Sequence, residues 1–124
     1  MGRFNSFEEI NSWRSSRIFN KRIYEITDKQ NFKNDFDLVR QIRRASISIS
    51  SNIAEGFERN SDKEFVYFLY IAKASAAEVR SQLYLALDLN YITKDEFEEL
   101  FNDISNISKL ISGFIKYLQS SQKP

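Results

Sequence analysis

Arg40, Arg43 and Arg44 stand almost side by side in the chain, with Arg40 and Arg44 four positions apart. Residues four apart on a helix are neighbours on one face. A second basic run, Arg14, Arg17, Lys21 and Arg22, offers similar groups, and Arg14, Arg17 and Lys21 would share a face of their own. Clustered guanidinium groups contact the phosphates of a nucleic-acid backbone and carry no base specificity in doing so. Arg40, Arg43, Arg44 and Arg59 are therefore the residues expected to bind nucleic acid, RNA or DNA, through its backbone. The competing expectation is a solvated face with local partners. Asp37 lies three before Arg40, and Glu25 four after Lys21.

A second set of groups, Asn52, Glu55, Ser75 and Glu78, falls beside positions expected in the core. Two carboxylates could serve acid–base chemistry or hold a di-iron centre, but such bundles use Glu-x-x-His on two helices. The sequence has no histidine and no cysteine. That excludes histidine bases, thiolate nucleophiles and ordinary zinc sites. The only internal glycines beyond Gly2 are Gly56 and Gly113, so there is no glycine-rich phosphate loop. The set is expected to be a buried polar network in which Glu55 or Glu78 pairs with Arg44, Arg59 or Ser75. Catalytic residues, metal and cofactor are all expected to be absent.

The elements that must position these residues announce their own starts. A capping box places Ser or Thr before a helix and Glu three residues later, so that each side chain bonds the other's free N–H. Ser6 to Glu9, Ser61 to Glu64 and Thr93 to Glu96 fit, and Asn34 to Asp37 fits with an Asp. Apolar steps of three and four follow each start. They predict helices over about 7–28, 35–58, 62–89 and 94–119. With one proline, the last of 124 residues, and few glycines, a many-stranded fold is excluded. The expected fold is all-α, an antiparallel up-down-up-down four-helix bundle forming a single domain over 1–124.

Within the second helix the run from Ser46 to Ser50 alternates like a strand. Ile49 nevertheless continues the stripe from Ile42 to Ile53, whereas Ile47 falls on another face. Two helical faces explain the alternation. The third helix also has two dry sides. Opposite its core stripe run Tyr67, Tyr70, Ala74, Ala77, Ser81 and Tyr84. A helix apolar on two sides is central or at an interface, and tyrosine suits interfaces. These six residues, with Ile47 and Ser50 from the small-residue face of the second helix, are expected to meet other copies of the chain. The tyrosines could also stack bases.

The segment from Ile42 to Ile92 resembles the four-helix-bundle family named after proteins encoded in intervening sequences of bacterial 23S rRNA genes. The matching residues include Arg43-Arg44-Ala45, Asn52-Ile53-Ala54-Glu55-Gly56, Arg59, Glu64-Phe65, Ile71-Ala72, Ser75, Glu78 and Asn90-Tyr91-Ile92. The resemblance implies a homopentamer around a central channel and no established enzymatic activity. It also implies kinship with the accessory protein of diversity-generating retroelements, a basic pentamer working with a reverse transcriptase and RNA. Two departures stand out. Ser50 takes a position where many relatives have proline, and the net charge is only +1.

That charge is uneven: residues 1–63 carry 12 Lys and Arg against 9 Asp and Glu, and residues 64–124 carry 6 against 8. No segment approaches the ~18 apolar residues of a membrane span, and none resembles a signal peptide. The chain is expected to be a cytoplasmic, non-enzymatic homo-oligomer acting as a nucleic-acid-associated or scaffold protein. The alternative is an adaptor that recruits a protein such as a reverse transcriptase without touching nucleic acid.

Overall fold

Each long helix after the first begins where a side chain satisfies its free N–H groups. The computed structural model describes residues 4–121. They form α1 (Asn11–Thr27), the one-turn α2 (Gln30–Lys33), α3 (Phe36–Phe57), α4 (Asp62–Asp88) and α5 (Lys94–Ser121), preceded by a 3-10 turn at Phe7–Glu9. The described residues contain no strand, and the run from Ser46 to Ser50 is helical. Ile49 is fully buried while Ile47 is exposed, as two faces of one helix require. The long helices close a circuit, α1 packing on α3 and α5, α3 on α4, and α4 on α5. One cluster fills its interior, with Phe19, Ile42, Ile53, Phe65, Leu69, Leu83 and Ile104 among its members. No described helix is long and apolar enough to cross a membrane.

The capping boxes fared differently. At α4 the Glu64 N–H donates to the Ser61 hydroxyl at 3.2 Å. At α5 the exchange is complete: Thr93 N–H donates to the Glu96 carboxylate at 2.8 Å and Glu96 N–H to the Thr93 hydroxyl at 3.1 Å. The second start is displaced by one residue. Asp35, not Asn34, caps α3, accepting from Leu38 N–H at 3.1 Å. The first box opens no α-helix. Ser6 makes no side-chain cap, and Ile10 interrupts the helix in an extended conformation. Burial explains this, because Ile10 is drawn into the core. Phe7 meets the Trp13 ring edge-on and the Arg14 Nε donates to the Glu8 carbonyl at 2.7 Å, which together fold the turn back onto α1.

α2 is too short for any apolar period to show. It carries one buried side chain, Phe32, stacked on Tyr91 with centroids 5.1 Å apart. The α4–α5 connection turns through Asn90, whose φ of 61° is left-handed. The Tyr91 N–H then closes on the Ala86 carbonyl and Asn90 N–H on that of Leu87, which is a Schellman end.

Gly56 sits where α3 and α4 approach closely. A Cβ there would lie 2.8 Å from both Phe65 Cδ1 and Phe68 Cβ. Phe65 is buried and the Phe68 Cβ is fixed to its backbone, so neither yields cheaply. Gly56→Ala is expected to lower the unfolding free energy by about 1–3 kcal/mol in a urea titration. Gly113→Ala, whose Cβ would meet nothing within 4 Å on exposed α5, should instead raise it by about 0.8–1 kcal/mol.

The Glu96 carboxyl is held below its ordinary value, first by the hydrogen bond from Lys29 and then by that from the Thr93 N–H. A lowered pKa in the folded state adds stability above the ordinary carboxylate range. That stability is withdrawn as pH falls through the lowered value. Glu96→Gln should cost up to about 1 kcal/mol at neutral pH. The gap between variant and wild type should close on acidification, as unfolding curves at the two pH values will show.

Candidate nucleic-acid interface

The outer surface between the end of α1 and the first half of α3 forms an open groove of about 640 Å³. Tyr24 comes from α1, and Phe36, Val39, Arg40, Arg43, Arg44, Ile47 and Ser48 from α3. Three of the four arginines singled out from the sequence thus meet in one place. The capped start of α3 is what sets them there. Asp35 bonds Leu38 with one carboxylate oxygen and accepts the Tyr91 hydroxyl with the other at 2.9 Å.

The three arginines are not equivalent. Arg43 is anchored: its Nε donates to the Thr27 hydroxyl at 2.8 Å and its Nη2 to the Tyr24 carbonyl at 3.3 Å. Its guanidinium carbon lies 4.1 Å from the Tyr24 ring centroid, a cation–π contact. Arg40 and Arg44 are exposed and have no hydrogen-bond or ion-pair partner among the described residues. Asp37, expected as a local partner of Arg40, forms no ion pair with it. Arg59 does not join the group. It stands fifteen residues beyond Arg44, just past the end of α3, over the Phe68 ring at 4.7 Å and 3.6 Å from Glu55.

The basic run of α1 is partly spent within the chain. Arg22 bridges Glu99 and Asp103 of α5, and Arg14 holds the Glu8 carbonyl. Arg17 lies 6.0 Å from the Trp13 ring.

The outer face of α4 is where the spacing puts it. Tyr67, Tyr70, Ala74, Ala77, Ser81 and Tyr84 are all exposed, Tyr67 at 63%. Tyr84 leans on Phe97 and Phe101, at 5.0 and 5.4 Å between centroids. Ile47 is exposed too, but it faces the arginine groove. Ser50 is a correction. It is buried at the α1–α3 seam, where it accepts from the Asn20 amide at 3.0 Å, so it has no outer surface to offer another copy.

The polar network also needs correcting. Glu55 and Glu78 are exposed, paired with Arg59 and with the Gln82 amide. Desolvating a carboxylate is costly, and both lie far enough round their helices to avoid it. Ser48 takes their place. It receives the Asn52 amide at 2.9 Å and the Ser75 hydroxyl at 3.0 Å. The spacing of Ser48 and Asn52, four apart on one face, was the available signal. Among the described residues no three His, Cys, Asp or Glu side chains are placed to hold a metal ion.

Sequence reasoning also missed Tyr24 and Phe36 as groove residues. Phe36 is 72% exposed, the most exposed large apolar side chain described. An aromatic directly after a helix cap, off the core stripe, was the sign.

These features define an all-helical protein with an open, arginine-rimmed surface. The chain belongs to the family of 23S rRNA-intervening sequence proteins, whose model matches residues 8–113. It is similar to the crystal structure of a protein of unknown function, from the S23 ribosomal protein family, of Bacteroides thetaiotaomicron. The two are 32% identical with a TM-score of 0.79, over 85% of this chain and 95% of the other. No curated protein matches it.

The anchored and free arginines should separate in stability measurements. Arg43→Ala removes two charged hydrogen bonds and a ring contact and should cost about 1–2 kcal/mol in urea unfolding. Arg40→Ala and Arg44→Ala should each stay within about 0.5 kcal/mol of wild type.

Proposed function

We propose that the chain is a non-enzymatic, cytoplasmic homo-oligomer that associates with nucleic acid through backbone phosphates. The observation carrying this reading is the placement of Arg40, Arg43 and Arg44 around one open groove, with Arg40 and Arg44 unpaired among the described residues. A guanidinium with no carboxylate partner is free to replace a phosphate's counterions. Arg59 is a separate contact just past the far end of α3.

The bundle is of the antiparallel up-down-up-down kind and forms one domain. Two ion pairs support this: Arg22 of α1 meets Asp103, and Lys29, seven residues further on and just past the end of α1, meets Glu96, seven residues earlier in α5. The dry outer face of α4 supports assembly with other copies. Five copies are what the family resemblance implies. A ring would repeat a modest basic groove and add multivalent contact that the net charge of +1 does not supply. The second reading, recruitment of a protein, is favoured by the aliphatic side chains of Val39 and Ile47 in the same groove.

Association with labelled oligonucleotides should weaken steeply with salt, log K falling linearly with log salt concentration. Arg40→Ala and Arg44→Ala should each flatten that slope by about one unit. Affinity independent of salt would exclude phosphate contacts. Pull-down after nuclease treatment separates the adaptor, which keeps its protein partner. Light scattering should report an oligomer, shifted toward single chains by Ala77→Arg. A stable single chain with Tyr67, Ala74 and Ala77 in solvent would exclude the assembly.

A further inference from the structure

We propose that the groove selects single-stranded over double-stranded nucleic acid, with Phe36 as the surface on which a base stacks. This rests on the nucleic-acid reading above and adds the ligand's form and the residue that distinguishes it.

Phe36, Arg40 and Arg44 are spaced four and four along α3, so they form one ridge. At one end of the ridge stands an exposed phenyl ring that stacks on no other ring among the described residues. One and two turns further stand the two arginines without partners. A strand lying along this ridge can place a base on Phe36 while its phosphates meet Arg40 and Arg44.

The platform is held firmly. Phe36 is the first residue of α3, immediately after the Asp35 cap, and Asp35 is itself tied to Tyr91. Tyr91 in turn stacks on buried Phe32. The ring therefore projects from an anchored helix start rather than from a loop.

The opposite wall offers a second flat surface. Tyr24 is 41% exposed with the Arg43 guanidinium lying over its ring. Two bonds to α1 fix that guanidinium, so its plane is preset for stacking or for a phosphate.

Single-strand binders combine a basic track with exposed aromatic faces, and any base can use such a face, so little sequence preference follows. In a duplex the bases are already stacked and paired, and Phe36 would meet only sugar and phosphate. Charge complementarity favours a polyanion over an apolar peptide here. No described acid pairs with Arg40 or Arg44, although Asp37 follows Phe36 in the chain. Val39 and Ile47 are the features an acidic amphipathic peptide would use instead.

The full chain, in its native assembly, should be titrated by fluorescence anisotropy against four probes at low salt. These are a mixed-sequence single strand, the matching duplex, an abasic strand that keeps the phosphates, and an acidic amphipathic peptide. The single strand should bind more tightly than the duplex or the abasic strand. Phe36→Ala should weaken single-strand binding about ten-fold, the loss of one stacked base. It should leave the salt slope and the abasic affinity unchanged, and Phe36→Trp should restore binding. Arg40→Ala should weaken all three nucleic-acid probes together. Equal affinity for the single strand and the abasic strand, or no effect of Phe36→Ala, overturns this inference while leaving phosphate binding in place. Failure of every nucleic-acid probe overturns both, and selective binding of the peptide would assign the groove to a protein. Phe36 is exposed, so neither substitution at this position threatens the fold.

Discussion

Everything on the surface of this protein depends on how α3 is gripped from two sides. Toward α1, Ser46 donates to the Asn20 carboxamide oxygen at 2.6 Å while Ser50 receives the Asn20 amide. Toward α4, Ser48 gathers Asn52 and Ser75. Small side chains let the neighbouring helices approach, and their polar atoms need partners once water is gone. A buried hydroxyl left unpaired costs about 1–3 kcal/mol. Apolar packing alone tolerates some rotation of a helix about its axis. Two sets of paired hydroxyls on different sides do not, because a turn of one residue would unpair both. Serine's poor helix propensity is offset by this registration.

That rotational lock decides where the arginines go. With Ser46 and Ser50 against α1 and Ser48 against α4, Arg40 and Arg44 face outward, and Arg43 folds against the end of α1. The axial position is settled separately, by Asp35. Its carboxylate caps α3 and also accepts the Tyr91 hydroxyl from the α4–α5 turn, so the start of the helix is tied to two distant parts of the chain. The Tyr91 phenol is held above its ordinary value, first by that hydrogen bond, then by burial and by the Asp35 charge. A raised phenol pKa adds stability that is complete below the ordinary range and lost as pH rises through the raised value. The tie therefore holds in neutral conditions and loosens in strong alkali.

The long helices were legible because each carries many apolar residues in step and because one capping box works as written and another in half. Where legibility failed, a tertiary demand outweighed a local signal. Ser6 and Glu9 have the right spacing, yet the core takes Ile10 and breaks the helix there. Asn34 is an acceptable cap, yet Asp35 bonds Tyr91 as well as Leu38, and the position serving two partners wins. Glu55 and Glu78 lie beside core stripes on a helical wheel, but a long side chain can leave a seam that serine cannot. The site was half legible for a similar reason. Spacing shows that Arg40 and Arg44 share a face. It does not show that Thr27 and Tyr24 claim Arg43, or that α3 ends before Arg59 and leaves it too far away to act with them.

The two unsatisfied surfaces lie on different elements, and this constrains how they relate. The tyrosine face belongs to α4 and the arginine groove to α1 and α3. Their shared link is the α3–α4 seam, where Ser48 meets Ser75 and Gly56 admits Phe65 and Phe68. Covering the outer face of α4 leaves that seam intact, since Ser75 is buried on the opposite side from Ala74 and Ala77. Assembly and ligand binding can then proceed without competing for one surface. A chain with so little net charge would hold a polyanion weakly through one groove. Several grooves fixed in one assembly raise the effective concentration of each for a strand already held by another. In the proposed assembly the tyrosines of α4 would matter to nucleic acid without touching it, by setting how many copies of the arginine groove a single strand can meet.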